Sequence, residues 1–378
     1  MITIDDIRPY LDAEVNNALE RGLGHPMIQA LLQFTFPDKS WDEISELVRS
    51  CDSIQDFQSK IIYASVRTVI DKSSEGFTTS GFDKLDPNQT YLYISNHRDI
   101  ILDTSLLNVA LLEHGLIMTA SAIGNNLVKK PFLLELAKLN RSFLIMRDLP
   151  PREMLQASKL VSQYIGDLLL NENRSVWIAQ REGRTKNGND LTQQGVLKMI
   201  ALAHQELSVM DYFKRIKIVP VSISYEFDPT DILKIPELMA KHHDIEYVKS
   251  NNEDFNSILK GATGHKKRIH ITAGAVMDTE LDAIGQSGET LNKQYQLLAE
   301  EIDNQIHKNY HLWPSNYLAY DMLHKVDTFK AKYTKKEMRQ FHRRIHRRVE
   351  DNNEIALHNF LLMYANPVVN QLNVENAG

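Results

Sequence analysis

Between Tyr91 and Val276, short apolar runs alternate with longer amphipathic patterns. The runs are YLYIS, LIMTASA, SFLIMR, SVWIAQ, IKIVPVSISY and RIHITAGAV. Between them lie ILDTSLLNVALLEHG, NLVKKPFLLELAKL, PREMLQASKLVSQYIGDLLL and TQQGVLKMIALAHQEL, with apolar residues three and four apart. Regular exchange of strand and helix predicts an α/β fold, a mainly parallel sheet flanked by helices. The strands are apolar almost throughout, which fits a sheet covered on both faces.

The flanks read differently. HPMIQALLQFTF, SWDEISELVRSC and IQDFQSKIIYASVRTVI predict a helical N-terminal region, with Ser40 and Glu43 spaced as a capping box. A Ser-, Gly- and Asp-rich connector over 71–90 has room for one short strand. After Asp278 the pattern is helical again and includes the basic run YTKKEMRQFHRRIHRRVED. The expected division is a helical domain over 1–75, an α/β domain over 76–330 and a basic helical tail over 331–378. The net charge of -6 leaves no global attraction to nucleic acid, so any cationic surface must be local. The single cysteine, Cys51, excludes an internal disulfide and fits a reducing cytosol. No signal peptide is visible, and no run reaches the ~18 apolar residues of a membrane span.

Polar residues interrupt the pattern where strands end, and ligands of parallel α/β sheets bind at those carboxyl ends. YLYISNHRDIILD places His97, Arg98, Asp99 and Asp103 there. A carboxylate that fixes an imidazole tautomer makes a general base, although a lone His is more often structural and an Asp at a helix start more often a cap. SFLIMRD ends on Arg147, whose ordinary reading is a surface arginine. SVWIAQREGRTKNGND runs into Arg181, Glu182, Gly183, Arg184 and Lys186. Arginine forks around a glycine suit a phosphate, and a charged turn is the plain alternative. IKIVPVSISYE carries Pro220, which marks an edge or a bulge, or else shapes a channel wall.

These four blocks, in this order, resemble the glycerolipid acyltransferase superfamily, whose members act on glycerol-3-phosphate and 1-acylglycerol-3-phosphate. The family pattern is N-H-x-x-x-x-D, an apolar block ending in Arg, an E-G block after a strand, and a V-P-V strand. The likeness runs from about Thr79 to Met277 and extends to TSGFDKLDPNQT upstream and RIHITAGAVM downstream. Two departures stand out. The family's Asp position is Leu102 here, which leaves Asp103 or Asp99 for the role, with Asp103 preferred. The family's Pro before Glu-Gly is Arg181.

The resemblance implies an O-acyltransferase of phospholipid biosynthesis. His97 would be the general base and Asp103 its orienting acid. Arg184 and Arg147, with Arg98 and Arg181, would hold the acceptor phosphate, and Glu182, Gly183 and Pro220 would shape the substrate site. The donor would be acyl-CoA or acyl carrier protein, and the acceptor a glycerol phosphate or a lysophospholipid, with no metal and no cofactor. A competing class is a catalytically impaired lipid- or nucleic-acid-binding protein of the same fold. Lys336, Arg339, Arg343, Arg344, Arg347 and Arg348 would form a basic stripe over 335–348 for a membrane surface, with a solvated, acid-paired helix face as the plain reading. Nucleic acid is not expected, and the location implied is cytoplasmic or peripheral on the cytoplasmic face of the membrane.

Overall fold

The computed structural model describes residues 2–377, Gln205 excepted. Seven strands form one sheet: β1 (Ser74–Ser80), β2 (Leu92–Ser95), β3 (Thr119–Gly124), β4 (Ser142–Ile145), β5 (Ser175–Ala179), β6 (Ile218–Tyr225) and β7 (Lys267–Ala273). Their spatial order is β1-β7-β6-β2-β5-β3-β4. Neighbouring strands are parallel except β6 and β7. The sheet is therefore mixed but mostly parallel, with β2 to β6 sharing one direction. The α/β expectation holds, and the short strand allowed for in the connector is β1. The helix expected over 192–207 is shorter, Gln194–Ala201, and Gln205 lies outside the described residues.

Alternation along each strand fills both faces. Leu92 and Ile94 join Val176, Ile178 and Ile218 in one apolar cluster under the helices Pro151–Leu170 and Gln194–Ala201. Tyr91 and Tyr93 join Trp177, Val219 and Val221 in another under the helix Leu102–Glu113. This two-sided demand explains why the strands read as nearly unbroken apolar runs.

The flanks are helical, as the sequence predicts. Ser40 Oγ accepts from the Glu43 amide at 3.3 Å while the Glu43 carboxylate accepts from the Ser40 amide at 2.8 Å, the expected capping box. Helices Pro314–His324 and Glu354–Ala377 share an apolar cluster with Phe227, Ile235 and Leu238.

The basic helix Lys335–His346 packs into that cluster through Phe341 and Ile345, which sets its orientation. Two residues of the expected stripe consequently turn inward. Arg344 is buried, with Nε 2.7 Å from Asp231 Oδ2 and Nη2 donating to the Asp228 carbonyl at 2.6 Å. Just past the helix, Arg348 Nε donates to Asp231 Oδ1 at 3.1 Å. Each sits three residues past an apolar anchor, Arg344 after Phe341 and Arg348 after Ile345, so they share the buried face. The exposed face keeps Lys335, Lys336, Arg339, His342, Arg343, His346 and Arg347.

Candidate active site

Strand β2 is fully buried and ends at Ser95, where the chain breaks outward through Asn96 and His97. Asn96 continues the sheet with its side chain. Its Nδ2 donates to the Ile223 carbonyl at 3.0 Å, and its Oδ1 accepts from the Ile223 amide at 2.8 Å. That pairing with β6 fixes the point from which His97 projects. Behind the imidazole, the Trp177 ring lies edge-on at 5.6 Å, its Nε1 donating to Ser95 Oγ at 2.9 Å.

Asp103 occupies the first turn of the helix Leu102–Glu113, near the positive end of its dipole. It is fully buried. Its Oδ2 lies 2.8 Å from His97 Nδ1 and accepts from the amides of Arg98 at 2.6 Å and Asp99 at 2.9 Å. Oδ1 accepts from the Tyr225 hydroxyl at 2.9 Å. An ionised carboxylate only accepts, so Nδ1 carries the ring proton and Nε2 keeps its lone pair.

Asp99 takes a different part. Its Oδ1 accepts from the amides of Ile101 and Leu102, closing the turn before the helix, and its Oδ2 is buried without a partner. Burial raises its pKa, and the neighbouring Asp103 charge adds to the effect. Of the two candidate acids, Asp103 is the one in hydrogen-bond reach of the imidazole.

His97 opens onto a groove of about 910 Å³ across the carboxyl ends of β2, β3, β4 and β5. Ile123, Ile145, Met146, Met154 and Met199 make an apolar wall, while Arg147, Arg181, Glu182, Gly183, Arg184 and Lys186 supply polar groups. The Glu-Gly turn returns close to His97, because the Thr185 amide donates to the His97 carbonyl at 3.0 Å. Gly183 has φ of +69°, a left-handed backbone that favours glycine at the turn. Farther along, a Cβ at Gly188 would stand 2.3 Å from the Met363 carbonyl oxygen, so this loop lies directly against the helix Glu354–Ala377.

The groove's charged groups differ in how they are partnered. Arg147 pairs with Glu182, and Lys186 with Glu237 at 2.5 Å. Burial lowers the pKa of both Arg147 and Lys186. Arg184 is 9% exposed; its Nη2 reaches Ser257 Oγ at 3.4 Å, its Nη1 is buried without a partner, and it forms no ion pair among the described residues.

Two residues expected at the substrate site lie elsewhere. Arg98 points away from the groove, with Nη2 2.5 Å from the buried Asp190, beside Tyr310. Adjacent residues of an extended chain face opposite ways, so a groove-facing His97 sends Arg98 inward. Pro220 is buried within β6, opposite Ile94, and does not line the groove. Its carbonyl accepts from the Gly274 amide at 2.8 Å, just past Val221–Ala273, the last β6–β7 pair. The missing donor thus faces the place where that ladder stops, and the β2 ladder is untouched. Asn96, Trp177 and Tyr225 were not picked out from the sequence. The signal for Tyr225 was its place at the end of β6, beside the strand that carries His97.

Residues 76–224 match the family model described as Acyltransferase. These residues form an acyltransferase domain. The matched segment contains the first three sequence blocks and the Val-Pro-Val of the fourth, so it overlaps most of the stretch that carries the glycerolipid acyltransferase resemblance. Among solved structures, the chain is similar to the crystal structure of the 1-acyl-sn-glycerophosphate (LPA) acyltransferase PlsC from Thermotoga maritima, at 11% identity and a TM-score of 0.41, covering 86% of this chain and 100% of that one. No curated protein matches. Among the described residues, no helix is long and apolar enough to cross a membrane.

Proposed function

We propose that the chain moves a fatty acyl group from the thioester of acyl-CoA or acyl carrier protein to a hydroxyl of a glycerol phosphate or lysophospholipid. One observation carries the reading: an imidazole held through Nδ1 by a buried carboxylate, at 2.8 Å, opens onto a groove with both an apolar wall and an unpaired arginine. His97 Nε2 takes the acceptor's hydroxyl proton as the oxygen attacks the thioester carbonyl. The tetrahedral adduct collapses, the C–S bond breaks, and the thiolate recovers the proton from the imidazolium. Asp103 holds the ring and balances its transient charge. Arg184, with Arg147 and Arg181, receives the acceptor phosphate, since a buried guanidinium without a counter-charge is strengthened by an anion. The apolar wall takes the acyl chain.

Residues 76–330 carry the reaction, with 1–75 packed beside them. Segment 331–378 braces the loop after β5 and presents the exposed cationic face of Lys335–His346 to an anionic leaflet. That face supports the reading because it gathers positive charge on a chain of net charge -6.

The test is thiol release from acyl-CoA, dependent on glycerol-3-phosphate or a lysophospholipid. His97→Ala should lower kcat by ~10²–10⁴, the usual contribution of a positioned base. An unchanged rate would refute the assignment.

A further inference from the structure

The fourth sequence block contributes more than its proline. The residue of that strand that reaches the site is Tyr225, the last residue of β6. Its hydroxyl donates to Asp103 Oδ1 at 2.9 Å. The ring is buried in the cluster that holds Tyr93, Leu106 and Val221.

The two Asp103 oxygens are unequally served. Oδ2 accepts from His97, Arg98 and Asp99, all of one short segment. Among the described residues, Oδ1 accepts from Tyr225 alone. Asp103 is fully buried, so without the phenol this oxygen would have neither donor nor water. The carboxylate could then turn about its Cβ–Cγ bond and exchange the oxygen it offers to Nδ1, because terminal sp³–sp² torsions are soft. A donor fixed on a separate strand removes that freedom. The phenol also remains a donor, since burial and the facing charges of Asp103, Asp99 and Asp228 hold its pKa well above the ordinary tyrosine value.

We propose that Tyr225 is a positioning residue for acyl transfer: from the end of β6 it locks the Asp103 carboxylate, which in turn sets the orientation of His97. The role rests on His97 acting as the base and adds a third member to the unit from the strand that carries the fourth block.

Tyr225→Phe removes one oxygen and keeps the ring. Two readouts are needed. The first requires no substrate: the low-field proton resonance of the His97 Nδ1–H, assigned by its loss in His97→Ala, should shift or broaden in Tyr225→Phe. The second is steady-state acyl transfer, where kcat should fall about tenfold or more while KM for the thioester and for the acceptor stays within about twofold, the pattern of a lost transition-state interaction. Tyr93→Phe is the control. Its hydroxyl is buried in the same cluster without a partner, so its removal should change neither readout. A thermal melt on each variant reports the fold. The proposal is overturned if Tyr225→Phe leaves the resonance in place, if it moves the resonance but not kcat, or if Tyr93→Phe does equal damage. Should His97→Ala keep the wild-type rate, the base reading fails at that step, and the resonance then reports only a structural link.

Discussion

Arg184 in the groove and Arg344 in the C-terminal helices are both arginines of a basic motif, and both are more than nine-tenths buried. Their surroundings are opposite. Arg344 has Asp231, the Asp228 carbonyl and the Tyr364 hydroxyl within hydrogen-bond reach, and its guanidinium lies 4.5 Å over the Phe227 ring. Arg184 has one long contact to a serine and a buried nitrogen with none. A buried charge is costly unless it is paired, so a fold that pairs one arginine fully and leaves the other bare assigns them different work. The first ties helices together, and the second is left free for the anion of the proposed acceptor.

The contrast should appear as a double dissociation. Arg344→Ala leaves Asp231 with Arg348, at 3.1 Å, as its cation partner beside the Tyr364 hydroxyl at 2.8 Å, and breaking a buried pair typically costs ~3–5 kcal/mol. Urea unfolding should show that loss, while activity per folded molecule stays near wild type. Arg184→Ala should do the reverse. Stability should be unchanged or higher, because a bare buried charge is gone. The kcat/KM for a phosphate-bearing acceptor should drop ~10²-fold, about the worth of a charged hydrogen-bonded contact. A stability loss in Arg184→Ala equal to that in Arg344→Ala would erase the distinction.

Much of this could be read from the sequence. The exchange of apolar runs and amphipathic segments specified the mostly parallel sheet, and the polar breaks at strand ends marked the His97, Arg147 and Arg181–Arg184 segments that line one groove. Those signals are local, since periodicity and a strand's last residue are visible along the chain. What was not legible depends on three-dimensional pairing. Nothing near Arg98 indicates that Asp190 will receive it, and nothing near Arg344 or Arg348 names Asp231. Asp99 and Asp103 could not be separated by spacing, because the choice depends on where the turn Ile100–Ile101 delivers the helix. Pro220 was overvalued for the same reason: its effect depends on where the β6–β7 ladder ends.

The exposed arginines of the basic helix provide a third case, charges neither buried nor ion-paired among the described residues. Arg339, Arg343 and Arg347 face solvent, and each contributes about 1 kcal/mol beside an anionic leaflet. Replacing all three with Ala should weaken sedimentation with vesicles rich in anionic phospholipid by ~10²-fold. The fold should be intact, and binding to neutral vesicles unaltered. The wild-type affinity should also fall steeply with salt. Binding that survives the triple substitution would mean that the inward pair, Arg344 and Arg348, had absorbed the helix's useful charge into the fold.

The same rule can be tested with the opposite sign. Asp303, on the helix Leu291–Lys308, is a buried carboxylate with no cation partner among the described residues. It accepts from the Thr192 amide at 2.8 Å and hydroxyl at 2.6 Å, which anchors the end of the loop after β5. Burial raises its pKa to about 7, further supported by the charges of Asp190 and Glu300 and opposed by the Thr192 hydrogen bonds. Below about pH 4 the folded and unfolded chains both hold this proton, so the group adds nothing to the pH dependence. As pH rises from about 4 to 7 the unfolded chain releases it and the folded chain keeps it. Stability therefore falls with pH across that window and levels off above it. Asp303→Asn keeps an acceptor oxygen for Thr192 and cannot ionise. Its stability relative to wild type should rise by at least ~1 kcal/mol between pH 5 and pH 8, measured as urea midpoints at each pH. Asp231→Asn, which removes a carboxylate paired with two arginines, should lose stability at both pH values. If the two variants shifted in the same direction, pairing would not be what separates a tolerated buried charge from a costly one in this fold.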